Sequence, residues 1–153
     1  MQLIADNLRI ERGGRVLLDR LSLQVSAGET LLVTGPNGTG KTSLLRTIAG
    51  FSPPAAGSIR LEGGQAEGEL MEQCHYVGHR DGVKAALTVA ENAAFWASYL
   101  GGSGDVVPAL DRVGLGQLAH VPAGYLSAGQ RRRLGLARLI LAKRPVWILD
   151  EPT

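Results

Sequence analysis

The stretch GPNGTGKT, residues 35–42, constrains this chain more than any other feature. It fits the pattern G-x-x-x-x-G-K-[ST] and stands between a short apolar run, TLLVT (30–34), and a segment with helical signals. Its glycines let backbone N–H groups turn inward around phosphate oxygens, where a side chain would block the approach. The N-terminus of the following helix adds partial positive charge at the same point. Gly35, Pro36, Asn37, Gly38, Thr39, Gly40, Lys41, Thr42 and Ser43 are therefore the candidate nucleotide-binding residues. Lys41 can reach the β- and γ-phosphates, and Thr42 can offer its hydroxyl to Mg²⁺. This order predicts an α/β fold, with TLLVT as a strand in the middle of a parallel sheet, covered on both faces.

Two further segments carry chemistry. VWILD (146–150) reads as a buried strand that ends in two carboxylates, Asp150 and Glu151. Beside a phosphate loop, Asp150 can join Thr42 in holding Mg²⁺, while Glu151 can orient and polarise an attacking water. The other segment is Leu126-Ser127-Ala128-Gly129-Gln130, followed by Arg131, Arg132 and Arg133. Ser127 and Gln130 have the spacing of a capping box at a helix start. Each of the three arginines opposes the helix dipole by about 0.3–1 kcal/mol, a broken local rule of the kind that marks functional sites. The expectation is a second anion receptor. Since the phosphate loop already holds a nucleotide from one side, this receptor would serve a nucleotide on another subunit.

Residues 3–10 and 16–25 read as strands, the second with Leu21, Leu23 and Val25 alternating against Ser22 and Gln24. Helical signals run from Lys41 to Gly50, with Pro53-Pro54 as a stop, and short strands are expected at 58–61 and 74–77 around the loop EGGQAEGE. Thr88 and Glu91 form a capping box for a helix over TVAENAAFWASYL, ended by Gly101 to Gly104. Helices are also expected at 106–113 and 127–142, so an α/β core is interrupted by a helical insertion at about 80–135. With 153 residues the chain fits one domain. A net charge of +2 is weak evidence for a nucleic-acid partner, and Cys74, the single cysteine, rules out an internal disulfide and points to a reducing compartment. The N-terminal residues have no signal-peptide pattern and no window approaches the roughly 18 apolar residues of a membrane span, so a membrane role must run through a partner.

Phosphate loop, LSAGQ and ILDEP, in this order, resemble the ATP-binding subunits of ABC transporters, over essentially the whole chain. The usual signature is LSGGQ, so Ala128 departs from it. The resemblance implies an ABC-type P-loop NTPase: a mixed-sheet core (about 1–80 and 136–153), an antiparallel β subdomain and a helical subdomain at about 80–135. It also implies ATP and Mg²⁺ as cofactors. The partner would be a second copy in a head-to-tail dimer, where Leu126 to Gln130 of one copy face the nucleotide on the other. RGGRVLLDRLSL, YVGHRDGVKAALTVAEN and LARLILAKRPVWILDEPT look like the CcmA subfamily, the cytochrome c biogenesis ATP-binding export proteins. Where most family members have Gln, this chain has His79, and where many stack an aromatic ring on adenine it has Arg12. The resemblance thus implies an ATPase with Lys41, His79 and Glu151 in catalysis and Arg12 at the adenine. It would work with an integral membrane subunit (CcmB-like), peripherally on the cytoplasmic face of the bacterial inner membrane, in haem export or handling.

The rival class is a soluble ABC ATPase acting on DNA or ribosomes. Such proteins carry coiled coils or tandem cassettes, and this chain has about 80 residues without heptads between phosphate loop and signature. Phe95, Trp96 and Tyr99 have helical spacing and are expected in the core, with docking of a membrane subunit as the alternative. Cys74 and His75 fall on opposite faces of a strand, which argues against joint metal ligation. Family members continue past the position of Thr153 with a crossing Asp and a switch His. The sequence therefore reads as a C-terminally incomplete fragment of a protein roughly 200 residues long, able to bind ATP but slow to hydrolyse it.

Overall fold

The computed structural model describes residues 1–64, 69–102 and 105–151, so part of EGGQAEGE, the end of the 101–104 glycine run and the final Pro-Thr lie outside the described residues. The chain divides into two compact units, Met1–Tyr76 with Ile148–Asp150, and Val77–Trp147 with the residues from Glu151 on.

The first unit is built on a three-stranded antiparallel sheet, β1 (Gln2–Arg12), β2 (Arg15–Ser26) and β3 (Ala56–Glu62), in the order β2-β1-β3. Gly13 and Gly14 close the β1–β2 hairpin with φ of 57° and 74°, the pair of positive values that a tight two-residue turn needs. In β1 the buried residues are Leu3 and Ala5, then Leu8 and Ile10. The parity of the apolar positions changes between them because Asn7, at φ 48°, sits in a register shift. One extra residue there keeps both halves of the apolar set on one face. α1 (Lys41–Ile48) lays Leu44, Thr47 and Ile48 into the interior.

Residues 30–34 differ from the expectation. They form no strand, and Leu31 and Leu32 are 49% and 79% exposed. Among the described residues the two sheets contain no strand paired to this run. An apolar run becomes a central strand only when neighbours take up its N–H and C=O groups. β4 (Cys74–Val77) does pair with β5 (Val146–Leu149) in a second, two-stranded sheet. β5 was expected to be buried throughout, but only Ile148 is, with Asp150 just after it, while Trp147 and Leu149 are exposed.

The second unit packs α2 (Val89–Tyr99), α3 (Val106–Arg112) and α4 (Ala128–Leu141) around Val89, Ala93, Leu110, Leu134, Ala137 and Leu141. Buried Asn92 fixes the preceding loop: its side chain accepts from Lys84 N at 2.8 Å and donates to the carbonyls of Lys84, Leu87 and Thr88. Both expected capping boxes are present, Thr88 with Glu91 and Ser127 with Gln130. The aromatic trio is not core. Phe95 and Tyr99 are exposed and stack on each other at 6.0 Å, and only Trp96 is drawn in, where its Nε1 donates to Gly82 O at 3.2 Å. α2 buries Val89, Asn92, Ala93 and Ala97, a face of small side chains that turns the large ones outward. No helix among the described residues is long and apolar enough to cross a membrane.

Candidate nucleotide site

In the first unit the phosphate loop turns on Gly35, Gly38 and Gly40, with φ of 147°, 82° and 100°. A side chain on Gly40 would have to adopt a left-handed backbone and would come within 3.1 Å of Leu17 Cβ. α1 then opens with no side-chain cap and no acidic residue in its first turn. Backbone N–H groups at such a start need an acceptor from elsewhere, and phosphate oxygens match both their direction and the helix dipole. Lys41 bends back over the loop, and its Nζ donates to Gly35 O at 2.6 Å and Pro36 O at 2.8 Å. Thr39 Oγ1 donates to Pro36 O at 2.9 Å. The loop therefore holds its own lysine at the place where a phosphate would compete for it.

Asp150 is buried, 7% exposed, and each carboxylate oxygen has a hydroxyl partner. Thr42 Oγ1 donates to Oδ1 at 3.1 Å and Tyr76 Oη donates to Oδ2 at 2.9 Å. The phenol is pushed up to about 12, first by burial and then by its bond to the Asp150 carboxylate, so it stays a donor across the physiological range. Its ring packs edge-on against Phe51 at 5.3 Å. Tyr76 was not among the sequence-derived candidates. The available signal was a polar-tipped aromatic in an expected strand, whose hydroxyl requires a partner when it is buried. The hydroxyl of Thr42 and the carboxylate of Asp150 are hard oxygen donors within hydrogen-bond distance of each other, a set that fits Mg²⁺.

In the second unit, Glu151 has a left-handed backbone, φ 53°, and its Oε2 lies 3.7 Å from His79 Nδ1, both side chains being exposed. At the start of α4 Ser127 Oγ accepts from Gln130 N at 3.2 Å, and Gln130 Oε1 accepts from Ser127 N at 2.8 Å. Leu126 is buried in the helical core, whereas Ala128 and Gly129 are exposed. The arginines that follow each find acceptors within the chain. Arg131 donates to Leu126 O at 2.6 Å, Arg133 to Val113 O at 2.9 Å, and Arg132 to Gly78 O, Asp81 and Glu151 O. Carbonyls and one carboxylate offset the unfavourable dipole, so the broken rule has a structural cause within the chain.

The structure thus gathers Lys41 with Gly35, Pro36 and Thr39, joins Thr42 to Asp150, and sets His79 by Glu151. Arg12 joins none of these groups among the described residues. It stands exposed at the end of the β1–β2 hairpin, opposite Arg15.

The family described as ABC transporter matches residues 18–153. The cytochrome c biogenesis ATP-binding export protein CcmA of Nitrobacter winogradskyi is 57% identical over the whole of this chain and 77% of its own length. The protein of the same name from Bradyrhizobium diazoefficiens is 55% identical, also over 100% of this chain and 77% of its own. Among solved structures, an ABC transporter ATP-binding protein from Pyrococcus furiosus superimposes with a TM-score of 0.86 at 24% identity, covering 99% of this chain and 76% of that one. That likeness establishes the fold, an ABC-type P-loop NTPase. With the family model matching most of its length and relatives above 50% identity, the chain belongs to the ABC transporter family of ATPases.

Proposed function

We propose that this chain is the ATP-hydrolysing subunit of an export complex in c-type cytochrome maturation, working with an integral membrane subunit of the CcmB kind on the cytoplasmic face of the bacterial inner membrane. The names of relatives at 57% and 55% identity support the process, and the observation that carries the chemistry is the Thr42–Asp150 contact at 3.1 Å, between residues 108 positions apart.

The proposed sequence begins with Lys41 leaving the Gly35 and Pro36 carbonyls for the phosphates of ATP. The amides of residues 38–43 surround the same oxygens, and Ser43 and Asn37 lie within this shell. Thr42 and Asp150 would hold Mg²⁺, which supplies positive charge to the phosphates. Tyr76 keeps the Asp150 carboxylate fixed through its second oxygen. Glu151 accepts a hydrogen bond from water and turns its lone pair toward the γ-phosphorus. The new O–P bond forms as the bond to the β–γ bridging oxygen breaks, the water's proton passes to the Glu151 carboxylate and from there to solvent, and ADP and phosphate result. His79, 3.7 Å from Glu151, would sit in the same arrangement, and Arg12 would stack on adenine. Leu126, Ser127, Ala128, Gly129 and Gln130 would face the nucleotide bound by a second copy, in a head-to-tail dimer. In this reading residues of about 1–80 and 136–153 are the core of a nucleotide-binding domain, and about 80–135 its helical subdomain.

The test is co-purification with the membrane subunit and measurement of phosphate release with and without it. Retention of the partner with stimulated ATP turnover is the expected result. Retention on DNA or ribosomes instead, with no membrane partner, would overturn the assignment to export.

A further inference from the structure

We propose that Arg132 is a positioning residue for the hydrolytic step, fixing the backbone of Glu151 relative to the segment that carries His79. The inference rests on the proposed role of Glu151, and adds a residue that this role requires.

Hydrogen bonds to three described residues spread from one guanidinium. Arg132 Nη2 donates to Glu151 O at 2.8 Å, while Nη1 donates to Gly78 O at 2.9 Å and to Asp81 Oδ1 at 3.0 Å. The partners of Nη1 flank His79 in sequence, and the partner of Nη2 is the peptide carbonyl of Glu151 itself. The Arg132 and Asp81 side chains are only 18% and 25% exposed, so water competes weakly for their ion pair. Glu151, by contrast, has a side chain 68% exposed, and packing does little to direct it. Its direction follows from its backbone, and that backbone is left-handed at φ 53°. A non-glycine residue keeps such a conformation only where its surroundings impose it. The bond to Arg132 is such a constraint: it grips the carbonyl on the C-terminal side of the strained φ.

The same contacts explain why arginine stands here. Guanidinium presents donors on two terminal nitrogens in a rigid plane, and can hold carbonyls on two segments at once. A lysine at this position keeps the charge but places all its donors on one atom. Arg132→Lys therefore separates geometry from charge.

The experiment uses the full protein with its membrane partner and compares wild type, Arg132→Lys, Asp81→Asn, Glu151→Gln and the Arg132→Lys/Glu151→Gln double variant. For Arg132→Lys the expected result is a fall in kcat of about tenfold or more, with KM for ATP and the affinity for a fluorescent ATP analogue within about twofold of wild type. In the Glu151→Gln background the same substitution is expected to cause no further loss, because the group it positions is already gone. Asp81→Asn, which keeps both carbonyl bonds, should lower kcat by only a few fold and keeps the test open if Arg132→Lys does not fold. An unchanged kcat in Arg132→Lys, a full additional loss in the Glu151→Gln background, or a parallel drop in affinity and melting temperature would each overturn the proposal. If Glu151→Gln alone retained wild-type turnover, the role given to Glu151 would fail instead, and with a different signature.

Discussion

Two helices in this molecule begin at segments that the family resemblance assigns to nucleotide, and they begin in opposite ways. α1 starts from Gly40, with φ 100°, no side-chain cap and no acid in its first turn. α4 starts from Ser127, whose capping box with Gln130 satisfies donors at both ends of the turn. By sequence, both are expected to receive anions. The structure distinguishes them: α1 opens with no side-chain cap, whereas at α4 the capping box takes up the N–H groups of Ser127 and Gln130. What differs is the preceding residue. A glycine in the left-handed region cannot cap, whereas an extended serine can. In the proposed reading α1 is the primary phosphate site, and α4 the capped edge that meets a nucleotide held mainly by another subunit.

The largest expected effect is at the first helix. Lys41→Ala removes the side-chain cation that the loop holds over its own carbonyls, and the affinity for ATP should fall by about a hundredfold or more, measured with a fluorescent analogue. Near-normal affinity would break the contrast, since α1 would then need no lysine. Gly40→Ala comes next. Its methyl would meet Leu17 at 3.1 Å on a left-handed backbone, so we expect about 1–2 kcal/mol of destabilisation and weakened nucleotide binding, read from thermal melts with and without ATP. Ser127→Ala, the matching change at α4, should cost about 1 kcal/mol through the lost cap, yet leave ATP affinity of the monomer unaltered. Tyr76→Phe keeps the ring on Phe51 and removes the bond to Asp150. The Mg²⁺ concentration needed for half-maximal nucleotide binding should rise a few fold, about 1 kcal/mol or less, with binding in chelator unchanged.

The smallest effect sharpens the comparison of caps. α2 closes its capping box with Glu91 and α4 with Gln130. The backbone N–H of Thr88, and then its hydroxyl, hold Glu91 below the usual carboxylate range in the folded protein. A depressed folded value means the contribution is present above the unfolded value, near 4.3, and is lost as pH falls through the lower folded one. Glu91→Gln should therefore leave the melting temperature at pH 7 nearly unchanged and flatten its decline in the acid range. The α4 cap, already an amide, has no such dependence.

How much of the fold is legible in the sequence follows from how local each signal is. Glycine spacing, both capping boxes and the helix stops depend on a few neighbouring residues, and each appears in the structure where expected. Pairing and burial depend on distant parts of the chain. TLLVT looks central by composition but finds no strand partner among the described residues. The ring face of α2 looks like core by spacing, but the adjacent turns bury Ala93 and Ala97 instead. The same division holds at the site. Lys41, Thr42 and Asp150 were legible from motif and order, whereas the Tyr76 hydroxyl bond spans 74 positions, and the three arginines could be understood only once their acceptors were known.

The most direct test of the contrast between the two helix starts is an amide-by-amide one. Backbone N–H resonances of Gly40, Lys41 and Thr42, and of Ala128, Gly129 and Gln130, should be followed during titration with ATP and Mg²⁺ at concentrations where the protein is monomeric. The account predicts large shifts and exchange protection at residues 40–42, with residues 128–130 unmoved until a second subunit engages them. Protection of 128–130 in the monomer, or no response at 40–42, would contradict it.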